Sequence, residues 1–129
     1  MIVVDSSVWI DEMRGAEGPA VLTLRHFITR EEVLVGDIVL LELLQGARDD
    51  RHARFIEGYL QRFEIVEMLN IEIAREAARN FRMLRSHGRT IRKTVDMIIA
   101  TYCVIHGHPL LQQDRDFAPL AEHLGLRLA

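Results

Sequence analysis

Lysine is almost absent from this chain: Lys93 is the only one, beside fifteen arginines. Cysteine occurs once, at Cys103. No internal disulfide can form, which favours a reducing, cytoplasmic setting. Three prolines and eight glycines in 129 residues leave no room for a disordered or low-complexity tract, and no linker or internal repeat is visible. Apolar runs such as Ile38–Leu41 fall far short of the ~20 residues needed to cross a bilayer. The opening MIVVDSSVWID has no basic start and meets a charge at Asp5, so it does not read as a secretory leader. Nothing has the Cys–His spacing of a zinc site, and His106-x-His108 before Pro109 is a poor substitute.

What is present suits one globular domain spanning residues 1–129, with 49% apolar and 27% charged residues. A net charge of −3 argues on average against a nucleic-acid partner. The average hides an asymmetry: Arg75, Arg79, Arg82, Arg85, Arg89, Arg92 and Lys93 share one stretch in which Glu76 is the only acid. Arginine grips phosphate through a two-pronged fork, whereas lysine acts as a point charge.

Short β-branched or apolar runs alternate with helical patterns. Ile2–Val4, Val33–Val35, Ile65-Val66, Leu110-Leu111 and Leu126–Leu128 read as strands. Helices are expected from Val8 to Arg14, from Pro19 through Ile28, from Asp37 to Gly46, after Asp49-Asp50, from Ile71 to about Arg85, from a Thr94 cap through Ile105, and from Phe117 to His123. In the Ile71 helix, Ala74, Ala77, Ala78, Phe81 and Leu84 form the expected apolar stripe, with Arg75, Arg79, Arg82 and Arg89 on another face. Alternating strands and helices predict an α/β fold, three layers deep, around a mainly parallel sheet of about five short strands. Ligands of such sheets bind beyond the carboxyl ends of the strands.

Four acids draw attention there. Asp5 follows the first strand and Asp114 the fourth; either suits a cap or turn as well as a ligand. Asp116 can cap the helix near Phe117. Asp96 lies in the first turn of its helix, where the dipole favours an acid by ~0.3–1 kcal/mol. Glu42 is harder to explain, because Leu40, Leu41, Leu43 and Leu44 surround it in a helix that reads as buried on all sides, and a carboxylate there must be paired, protonated or metal-bound. Two carboxylates ~5 Å apart repel by ~3 kcal/mol at an effective dielectric near 20, so four converging acids require a cation. Oxygen ligands select Mg2+ or Mn2+.

The segments VVDSSVWID, VLLELLQGAR, HGRTIRKTVDMIIA and LLQQDRDF, in this order, resemble the PIN-domain family, and within it the toxin ribonucleases of bacterial VapBC-type toxin–antitoxin pairs. The resemblance runs nearly end to end. It implies a metal-binding quartet of Asp5, Glu42, Asp96 and Asp114, with Asp116 as an auxiliary and Ser7 orienting Asp5. One departure stands out: Gln112 occupies a position where members often carry threonine or serine. The family further implies an RNA substrate, a homodimer, and a tight complex with a small VapB-like antitoxin.

The expected chemistry is metal-assisted hydrolysis of RNA by activated water, with a second ion, if present, ~3.5–4 Å from the first. Arg75, Arg79, Arg82 and Arg89 are the candidates for phosphate contact. The alternatives are a catalytically silent PIN module that binds RNA or a partner, and a receiver domain. The latter would need paired acids after its first strand, where only Asp5 stands, and a late lysine.

Overall fold

The computed structural model describes residues 1–129. Strand β1 (Ile2–Val4) leads into helix α1 (Ser6–Met13), and α2 (Pro19–Thr29) returns the chain to β2 (Val33–Gly36). Next come α3 (Asp37–Gln45), α4 (Asp50–Leu60) and β3 (Glu64–Val66). Helices α5 (Ile71–Ser86) and α6 (Thr94–His106) precede β4 (Leu110–Leu111), a 3-10 turn at Arg115–Phe117 and α7 (Ala118–Leu124).

The sheet order is β3-β2-β1-β4, and every pairing is parallel. The strands are short and apolar because both faces are covered by helices: β1, β2 and β4 are buried throughout. The sheet has four strands rather than the five expected. The segment Leu126–Leu128 meets β4 at a single parallel bridge, Leu110 to Leu128. The backbone N–H of Leu110 donates to Arg127 and that of Ala129 to Leu110, both at 2.8 Å. Pro109 has no N–H to extend the ladder upstream.

The chain builds β1, adds β2 and β3 on one side, then crosses to place β4 on the other. The order therefore reverses beside β1, and the crevice of a parallel sheet lies at such a switch point. Asp5 and Asp114 follow the two strands that flank it. The Asp5 N–H donates to Leu111 at 2.9 Å, tying the two strand ends together.

Local sequence explains most helix starts. Asp49 caps α4 by accepting from the His52 N–H at 2.8 Å, and Asn70 caps α5 through Ile73 at 2.8 Å. Thr94 is the first residue of α6 rather than its cap; Lys93 holds the cap position and makes no side-chain capping bond. Asp116 is not a cap either. Asp114 accepts the Asp116 N–H at 2.9 Å, and Phe117 precedes α7.

Two helices depart from their expected faces. Helix α3 is not buried all round: Leu41 is 53% exposed, while Val39 and Leu43 pack inward. On α5 the buried stripe is Ile73, Ala77 and Leu84, with Ala74 and Ala78 in solvent. Asn80 lies on the inner side, where its amide donates to Thr101 of α6 at 3.1 Å. Two alanines bury little area, so the larger Ile73 and Leu84 decide which face turns inward. Trp9, fully buried, anchors the α1 side of the core against Phe63 with ring centroids 5.0 Å apart.

Candidate active site

Asp5 starts α1 and is both a cap and a site residue. Its Oδ2 accepts from Ser7 Oγ at 2.8 Å and from the Ser7 N–H at 3.3 Å, which fixes the carboxylate's direction. Only 5% of Asp5 is exposed. Asp96, in the first turn of α6, is 3% exposed. Glu42 is half-buried on α3. Glu42 Oε1 and Asp96 Oδ2 are both buried and have no hydrogen-bond partner. An unsatisfied buried carboxylate oxygen is costly unless something positive meets it.

The acids act on one another. Burial first, then the charge of Asp5, raises the Asp96 carboxyl to about 7; Glu42 and Asp114 add to this and Lys93 opposes it. Burial and Asp5 likewise raise Glu42, against a hydrogen bond from Ser6 and the charge of Lys93. Asp96, Asp114 and Asp116 each offer an oxygen, and these oxygens lie within 4.8 Å of one another. The four expected acids, with Asp116, thus converge on the switch-point side of the sheet.

Lys93 stands out in sequence only as one cation of a basic stretch. Its Nζ lies 3.6 Å from Asp114 Oδ2, and Asp96, then Asp114, raise its pKa. It serves as a cation for the cluster. The available signal was its being the single lysine, three residues before Asp96. Gln113 was also missed: its Nε2 donates to Asp11 Oδ2 at 2.9 Å and to the Ser7 carbonyl at 3.3 Å, pinning the loop before Asp114 to α1. Gln112, the residue singled out, leaves its buried Oε1 without a partner.

Arg75, Arg79, Arg82 and Arg89 are all exposed. Arg79 pairs with Glu76 at 3.4 Å and Arg89 with Glu122 at 3.5 Å, so two of the four carry a local counter-charge. Glu72 pairs with none of them. His106 and His108 stack with Tyr102 rather than joining any acidic group.

The PIN domain model matches residues 2–122. The chain belongs to the PIN domain family. A curated relative, VapC ribonuclease Mb1587 of Mycobacterium bovis, is 28% identical over 134 residues, covering 100% of this chain and 98% of its own. Among solved structures, VapBC2 from Rickettsia felis, bound to a promoter DNA fragment, superposes with a TM-score of 0.80 at 16% identity. That match covers 100% of this chain and 98% of the other. FitAcB from Neisseria gonorrhoeae gives 0.76 at 18% identity, covering 99% and 96%. The PIN fold accounts for the parallel sheet and for helices on both of its faces. No helix of this member is long and apolar enough to cross a membrane.

Proposed function

We propose that this PIN domain, acting as one unit over residues 1–129, is a metal-dependent endoribonuclease and the toxin of a VapBC-type toxin–antitoxin pair in the cytoplasm. The observation that carries the reading is the pair of buried, unpartnered oxygens, Glu42 Oε1 and Asp96 Oδ2, raised by burial and by the charge of Asp5, beside the oxygens of Asp114 and Asp116. The donor set fits a divalent ion: all oxygen, already clustered, and short of positive charge. Hard oxygen donors suit Mg2+ or Mn2+ better than zinc.

Asp5, Glu42, Asp96 and Asp114 are the residues that would hold the ion, with Asp116 as an auxiliary. When bound there, an ion would supply a water of lowered pKa for attack on phosphorus and positive charge to offset the leaving oxygen. The chain's own contribution is orientation. Ser7 aims Asp5, Gln113 braces the Asp114 loop, and Lys93 draws the Asp114 side of the site together. No histidine or serine nucleophile is called for. In this reading RNA phosphates meet Arg75, Arg79, Arg82 and Arg89, of which Arg75 and Arg82 have no acid partner.

The VapBC2 structure from Rickettsia felis supports an antitoxin partner, and a homodimer belongs to the same proposal. An antitoxin arginine or lysine would find in the acid cluster the kind of partner that Lys93 already finds.

The test is cleavage of single-stranded RNA by the purified chain. Activity in magnesium or manganese that excess EDTA abolishes is expected, and Asp5→Asn and Glu42→Gln should each remove most of it. Undiminished cleavage in EDTA would overturn the metal mechanism. No cleavage under any metal condition would overturn the ribonuclease reading.

A further inference from the structure

Beside the acid cluster opens a cavity of about 740 Å3, walled by α1, α3, α4 and the turn between the last two. Glu42 belongs both to the cluster and to the cavity lining. Where the rest of the lining meets solvent it carries Arg14, Arg48, Arg51 and Phe55 beside Ile10, Gly46 and Asp49, over a buried floor of Leu43 and Ile56. Arg14 closes α1, Arg48 sits in the α3–α4 turn, and Arg51 is in the first turn of α4. All three are exposed, and none has an ion-pair partner, unlike Arg79 and Arg89. The other acid in the wall, Asp49, is engaged in capping: its carboxylate accepts the His52 N–H. The Arg48 N–H donates to His52 Nδ1 at 3.1 Å, which orients the imidazole and leaves Nε2 as the protonated nitrogen of the neutral ring. Phe55 projects beside it, 54% exposed.

We propose that this cavity is the channel by which single-stranded RNA reaches the acids, with Arg14, Arg48 and Arg51 on backbone phosphates and Phe55 and His52 stacking on bases. The inference deepens the ribonuclease reading and rests on it. Five clustered acids repel a polyanion, so a strand must be held by cations close to them. Uncommitted guanidiniums beside an exposed phenyl ring and a half-buried imidazole are a combination that suits binding of single strands without regard to sequence.

The experiment measures binding of a fluorescein-labelled 12-nucleotide mixed-sequence RNA to the full chain by anisotropy, in EDTA so that the strand stays intact. Each phosphate contact on a single strand contributes about 0.7 to the slope of log affinity against log salt. Arg48→Gln/Arg51→Gln should shallow that slope by about 1.4 and weaken binding about 25-fold at 0.1 M salt. Phe55→Ala should weaken binding about fivefold or more and leave the slope unchanged. Arg30→Gln/Arg62→Gln removes the same charge near the amino ends of β2 and β3 and should change affinity less than about twofold. If the two double variants behave alike while wild type binds, the channel assignment falls and the ribonuclease reading stands. If the cavity variants lose a protein inhibitor but keep RNA, the cavity is a partner site and the proposal falls. A wild-type chain that binds no RNA takes both readings down.

Discussion

Asp96 is held near neutral pH by its surroundings, and this has a measurable consequence for stability. Its carboxyl is raised from 3.8 to about 7, chiefly by burial and then by Asp5. At 1.36 kcal/mol per pH unit, ionising it in the folded protein costs on the order of 4 kcal/mol. Below pH 4 the side chain is protonated in both folded and unfolded chains and the cost is absent. Between pH 4 and 7 the folded chain binds the extra proton, so stability falls as pH rises; above 7 the full cost is present. From pH 5 to pH 8 the cost grows by about 2.7 kcal/mol. Asp96→Asn keeps the shape and removes the charge, giving up only the ~0.3–1 kcal/mol that favours an acid at a helix start. In EDTA, urea unfolding of the variant should therefore gain on wild type by about 2–3 kcal/mol between pH 5 and 8. At a slope near ~2 kcal/mol per molar this moves the midpoint difference by about 1 M. Saturating magnesium should shrink or reverse the difference, because binding at 100 times Kd stabilises by ~2.7 kcal/mol only the chain that holds the ion. A midpoint difference in EDTA that does not change with pH would refute the reasoning and leave Asp96 a helix-start residue.

Lys93 competes with any cation for Asp114, so Lys93→Gln should tighten magnesium binding severalfold by calorimetry; weaker binding would contradict the role assigned to it. Gly36→Ala should cost about 1–3 kcal/mol in thermal unfolding, since a Cβ there runs into the buried Met68 thioether. A loss much smaller when Met68→Ala is already present would identify the clash as the cause. Trp9→Ala should cost about 3–5 kcal/mol, as its ring is fully buried against Phe63 and Tyr59. Burial raises the Cys103 thiol to about 12, so a thiol reagent should leave the native chain unmodified at pH 8 and label it fully in denaturant; rapid native labelling would overturn its placement in the core.

Much of the fold was legible because its signals are local. The runs Ile2–Val4 and Val33–Val35 are apolar at every position, and strands buried on both faces read that way whatever surrounds them. Asp49 announces its helix start through a bond to backbone three residues on. Among the candidate acids, Asp5, Asp114 and Asp96 stood out by strand ends and a helix start, and Glu42 by the leucines around it.

Pairing and facing were decided only in three dimensions. The sequence alone determined four strands and the positions of the acids, but a fifth strand hung on whether Leu126–Leu128 found a ladder. Two-residue β4, preceded by Pro109, offers it one bridge. Helix α3 looked buried all round because its composition is apolar, yet orientation against the sheet leaves Leu41 in solvent and aims Glu42 inward. The arginines read alike along the chain; a neighbour on its own helix gave Arg79 an acid partner, a tertiary contact gave Arg89 one, and Arg14, Arg48 and Arg51 were left without. Lys93 likewise counted as one more cation until folding set it against Asp114. Hydrophobic period and capping act within a few residues, whereas the worth of a charge depends on what lies within a few ångströms, and only the folded sheet brings residues 5, 42, 93, 96 and 114 that near.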